Sequence, residues 1–113
     1  MATAVPTATD RRLLQLRLSD ARERTDELFG IVRPEAISDR PIPERHRIIF
    51  YLGHMEAFDW NLLRDVLALE SFHPQFDRLF AFGIDPVDCG LPSDQPSDWP
   101  ARAEVEQYNA RIR

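Results

Sequence analysis

Three histidines, one cysteine and 19 carboxylates are the side chains through which this 113-residue chain could do metal, nucleophilic or acid–base chemistry. His54 is the one whose surroundings ask for an explanation. Its neighbours at helical spacings of three and four positions are Phe50, Tyr51, Ala57 and Phe58, so on a helix it points into an apolar face. A buried imidazole must have a hydrogen-bond partner. Two readings stay open on these residues, a core histidine satisfied by a neighbour and a metal ligand, and no second ligand is visible within a helical turn. Gly53, just before it, lowers local helix propensity and lets a neighbouring helix come close. His46 lies between Arg45 and Arg47 and reads as exposed. On one helix it would stand about 12 Å of rise from His54, too far for both to hold one ion. His73 precedes Pro74 and reads as the head of a loop.

The remaining chemistry is thin. Glu56 and Asp59 share no helical spacing with His54 and read as surface carboxylates. Cys89 lies in a proline-rich loop with Asp85 and Asp88 and no flanking base, a setting that disfavours the thiolate. Trp60 and Trp99 read as packing residues. The chain has no serine nucleophile elbow and no glycine-rich phosphate loop. All 14 basic residues are arginine, so a P-loop lysine and Schiff-base chemistry are excluded.

The elements that must position His54 follow from periodicity and punctuation. Residues 1–8 lack periodicity and read as a disordered lead-in. Thr9 or Asp10 can cap a first helix, 9–33, in which Leu14, Leu18, Ala21, Thr25, Leu28 and Val32 recur at steps of four and three. Its opposite face is charged, with helix-neighbour pairs such as Asp20 and Arg24. Pro34, Pro41 and Pro43 break the helix, and a second runs over 45–70. There Ile48, Leu52, Met55, Leu62, Val66 and Leu69 form one apolar line and Tyr51, Phe58 and Leu62 a neighbouring one. A stripe that wide predicts packing on two sides, as in a bundle. Residues 71–99 read as a long crossover loop, with a short helical turn at Phe76 to Phe82 and, counting Pro100 just after it, five prolines. Pro100 suits the first position of a last helix, 100–113, which carries Val105, Tyr108 and Ile112 on one face and meets no stop signal. The chain therefore reads as all-α and as a bundle that is incomplete, with apolar surface awaiting a partner.

Composition bounds the setting. A net charge of −5 gives no basic footprint for phosphates, so nucleic-acid binding is excluded as a leading function. The longest apolar run, Ile48 to Leu52, is far below the ~20 residues of a membrane-spanning helix, and the first ten residues carry no secretory pattern. With one cysteine there is no intrachain disulfide. The expected location is the cytoplasm.

Two separated blocks carry a family resemblance. The first is Asp39 to His46 followed by Phe50-Tyr51-Leu52-Gly53-His54-Met55-Glu56-Ala57-Phe58-Asp59-Trp60-Asn61; the second is Leu79 to Pro86, Leu91 to Pro100, Glu104-Val105 and Tyr108-Asn109. Over about residues 20–113 the chain resembles the N-terminal DinB-like domain of non-heme iron enzymes related to the ergothioneine-type sulfoxide synthases, which fuse it to a formylglycine-generating (sulfatase-modifying factor) domain. The resemblance implies a DinB-like four-helix bundle with a crossover between helices two and three. It implies Fe(II) as cofactor, with His54 as one ligand. The other two ligands belong to a His-x-x-x-His-x-Glu motif on helix four, which no residue of this chain matches. The implied activity of the intact family is O2-dependent C–S bond formation between a thiol and a histidine derivative. One imidazole does not hold iron in a working geometry, so these 113 residues alone are expected to be inactive, a fragment whose partner is the C-terminal part of the same protein. Competing readings are a metal-free helical module that pairs with a self-copy, and another DinB-type metal-dependent thiol transferase.

Overall fold

The computed structural model describes residues 5, 7–81 and 94–113. The fold is all-α: four α-helices and two single 3-10 turns, with no strand among the described residues. The chain divides into two units, Met1–Arg33 and Pro34–Arg113, where the pattern of apolar residues suggested one helical domain from residue 9 onward.

The first unit is helix α1, Ala8–Gly30. It starts one residue ahead of the expected position because Thr7, not Thr9 or Asp10, is the cap. Thr7 Oγ1 accepts the Asp10 amide at 3.1 Å and Asp10 accepts the Thr7 amide at 3.1 Å, a capping box that satisfies two free donors at the helix start. Hydrogen bonding to its carboxylate from the Thr7 side chain, and then from the Thr7 amide, holds Asp10 below its ordinary pKa. Helix α1 ends at Gly30 rather than residue 33, and buries none of its residues. Its leucines, among them Leu13, Leu14, Leu16 and Leu18, are spread too widely round the axis to make a single narrow stripe. Along the charged face the expected pair forms, Arg24 Nε to Asp20 at 3.1 Å.

The second unit is built round helix α2, Ile48–Leu67, shorter at both ends than the 45–70 expected. It begins at Ile48 because the connector supplies acceptors for its first donors: Ile48 N–H bonds the Asp39 carbonyl at 3.1 Å and Ile49 N–H the Ile37 carbonyl at 2.8 Å. It ends where Ala68 takes a left-handed conformation, φ 53°, with its amide on the Arg64 carbonyl. Within the stretch expected to be loop, a third helix, α3, forms at Pro74–Leu79. His73 starts it by accepting the Phe76 amide on Nδ1, with Pro74 at the first helical position, where its missing N–H costs nothing. The rest of the proposed crossover, 82–93, including Cys89, lies outside the described residues. A 3-10 turn at Pro96–Asp98 leads to helix α4, Arg102–Ile112, so Pro100 sits two residues ahead of the helix rather than in it.

Helices α3 and α4 both pack on α2, through Ile49, Phe50, Leu52, Gly53, Glu56 and Ala57. This is not the apolar line anticipated from the sequence. Met55, Phe58, Leu62 and Val66 are exposed, while the buried line runs through Gly53 and Ala57, whose small side chains let the neighbours come close. Periodicity reports which residues are apolar; closeness of approach decides which side is covered. Phe50, Phe76, Phe80, Val105 and Tyr108 complete the core.

Candidate functional site

His54 sits on α2 one residue after the point of closest approach. A methyl group on Gly53 would lie 2.5 Å from ring carbons of Phe80, the residue that caps the end of α3. Glycine is therefore required here by space, and what approaches is an aromatic ring rather than helix backbone. The same Phe80 offers its carbonyl oxygen to His54 Nδ1 at 2.6 Å. A carbonyl cannot donate, so Nδ1 carries the hydrogen, and in the neutral imidazole Nε2 keeps its lone pair. That arrangement is how protein frameworks orient metal-binding histidines. Phe50 stacks on the imidazole at 4.9 Å and Phe58 meets it edge-on at 5.8 Å, and the residue is half-buried. Of the two readings left open by the sequence, the contact shows the satisfied histidine, and it is made through one ring nitrogen only.

No group of three histidine, cysteine or carboxylate side chains able to hold a metal ion occurs among the described residues. His73 is turned inward as the cap of α3 and stacks on Phe76 at 3.8 Å. His46 precedes α2 and is half-buried against Phe50 at 3.9 Å, not exposed. Glu56 is buried rather than superficial, because Arg113 at the end of α4 reaches it at 2.7 Å. The described residues therefore fit one ligand position of a metal site and not a whole one. Two clefts, of about 480 and 290 Å3, flank α3, and His54 lines neither.

Two carboxylates organise the region around the histidine. Asp77, buried on α3, accepts Tyr108 Oη at 2.5 Å, Trp60 Nε1 at 3.3 Å and the Ser71 hydroxyl, with Arg64 Nε at 3.6 Å; its own carbonyl takes Asn61 Nδ2 at 3.0 Å. Burial, and then the Asp77 contact, push the Tyr108 hydroxyl upward in pKa, so it stays a donor. Asp94 is held by Trp99 Nε1 at 2.7 Å, Arg47 Nε at 2.8 Å and Arg40. Partial burial would raise its pKa, but Trp99, Arg47 and Arg40 outweigh that and bring it down to about 2. Both tryptophans are thus packing residues that also donate. Neither carboxylate stood out in the sequence, since Asp94 lies in a stretch that reads as loop and Asp77 in a short turn within it; Gly53 was the local sign that something approaches α2 closely.

No protein-family profile matches the chain. Ergothioneine biosynthesis protein 1 of Neurospora crassa is 35% identical to it in an alignment of 85 positions that covers 70% of this chain and 10% of the relative. The chain is similar to that protein. A continuous stretch of that share cannot miss the middle of the sequence, so it takes in α2 with His54 and α3. The matched region spans about a tenth of the relative's length. No helix among the described residues is long and apolar enough to cross a membrane.

Proposed function

We propose that this chain serves ergothioneine biosynthesis as a DinB-like portion of a non-heme iron enzyme, with His54 supplying one ligand to Fe(II). The observation that carries the reading is the Nδ1–H bond to the Phe80 carbonyl, which leaves Nε2 free, inside a region similar to ergothioneine biosynthesis protein 1. Iron would supply O2 activation for joining sulfur to carbon. The part of this chain is to present a correctly oriented imidazole on a rigid helix and to keep its other nitrogen occupied. The remaining ligands and the surfaces for the thiol and the histidine derivative are assigned to other segments of the protein. One of them, a further helix, is the natural cover for the exposed Met55, Phe58, Leu62 and Val66 of α2. The setting is cytoplasmic.

Two measurements test this. Co(II), a paramagnetic stand-in for Fe(II), titrated into the chain should broaden the ring signals of His54 ahead of those of His46 and His73, and the accompanying broadening of the neighbouring Phe50 and Phe58 rings should vanish in His54→Ala. Equal broadening at all three histidines would remove the ligand role. Ergothioneine measured by mass spectrometry in the source organism should fall at least tenfold when His54→Ala is introduced at the chromosomal locus, and an unchanged level would remove the biosynthetic role.

A further inference from the structure

We infer that Asp77 is a positioning residue for His54: by locking α3 against α2 and α4, it keeps the Phe80 carbonyl on Nδ1 and so selects the tautomer in which Nε2 is free. This deepens the ligand reading proposed for His54 and rests on it.

Helix α3 has six residues, Pro74–Leu79, too few to be stable or to hold a position by itself. Its place must come from tertiary contacts, and most of the polar ones converge on Asp77. Trp60 and Arg64 reach it from α2, Tyr108 from α4 and Ser71 from the approach to α3, while Asn61 of α2 holds its carbonyl. Phe80 lies three residues on, on the same face, so a shift at Asp77 carries Phe80 with it. The carbonyl of Phe80 is available because the last carbonyls of a helix have no intrahelical partner, and they carry the negative end of its dipole. An imidazole N–H is therefore a fitting donor. Left to solvent, a neutral histidine side chain favours the hydrogen on Nε2, the tautomer that blocks the outward nitrogen. The Phe80 carbonyl reverses that preference only while it stays within hydrogen-bonding reach of Nδ1.

The apolar seat of Phe80 on Gly53 could hold α3 without help from Asp77, and the experiment separates the two cases. Long-range proton–nitrogen correlation spectra of the metal-free chain, recorded at about pH 8, report which ring nitrogen of His54 is protonated. The wild-type chain should show protonated Nδ1. Asp77→Leu should move His54 toward protonated Nε2, whereas Asp77→Asn, which keeps an acceptor for Tyr108 and Ser71, should retain the wild-type pattern. If Asp77→Leu fails to fold by circular dichroism, Tyr108→Phe takes its place with the same expected shift. A folded Asp77→Leu or Tyr108→Phe with the wild-type tautomer overturns the inference. Co(II) affinity at His54 should drop about tenfold in the shifted variant. A tautomer shift in a chain whose His54 takes no Co(II) would leave Asp77 its positioning role and remove the metal reading.

Discussion

At the scale of single residues, the Gly53–His54 pair does two jobs through one neighbour. The Phe80 ring fills the space where a Gly53 side chain would be, and the Phe80 carbonyl holds His54. Alanine at position 53 has the better helix propensity by about 1 kcal/mol. Its methyl would stand 2.5 Å from a ring that is fully buried and has nowhere to go. Overpacking of this kind costs about 1–3 kcal/mol, so Gly53→Ala should be a net loss, read as a lower urea midpoint at constant slope. A variant as stable as the wild type would show that Phe80 can move. Asp94 gives a second residue-level expectation. Its folded pKa of about 2 lies below the ordinary 3.8 of an unpaired carboxyl. A depressed carboxylate contributes fully above the unfolded value and loses that contribution as pH falls through the folded one. Stability carried by the Arg40–Arg47–Trp99 cluster should therefore decline between about pH 4 and pH 2, and Asp94→Asn should flatten that part of the profile. Parallel profiles would argue against the cluster.

At the scale of elements, ends decide more than interiors. Helix α2 starts where carbonyls of Ile37 and Asp39 meet its free amides and stops at Ala68. A left-handed residue with a side chain pays about 1 kcal/mol that glycine does not. Ala68→Gly should raise stability by about 0.5–1 kcal/mol, seen as a higher thermal midpoint, with α2 unchanged in length. A lower midpoint would mean that the entropy of the unfolded chain outweighs the relief of strain. Helix α3 shows the opposite case, a short element with a good cap at His73 and Pro74 that persists because Asp77 anchors it. Its existence was partly legible: a helical turn was expected at Phe76 to Phe82, but the cap formed by the histidine ring moved it back to Pro74.

At the scale of the molecule, α2 is the element on which the described parts of the second unit converge. Asn109 Nδ2 bonds the Leu52 carbonyl at 3.0 Å and Arg113 meets Glu56, so α4 is tied to α2 one turn apart on the face that also carries Gly53. The histidine therefore sits at the edge of a well-determined face, with a line of exposed apolar side chains beside it. Such a layout holds the His54 imidazole firmly in one orientation, as the ligand role proposed for it requires.

The sequence by itself determined the all-α character, three of the four helices among the described residues to within a few residues, and His54 as the side chain to explain. Those properties are local: helical spacing, proline breaks and the neighbours three and four positions away. Only the tertiary structure decided which face of α2 is covered, that Glu56 is buried, and which ring nitrogen of His54 is free. The partner that settles the last point is a main-chain carbonyl, and every residue has one. No residue type at position 80 announces that its carbonyl will reach position 54; that follows from where α3 is anchored.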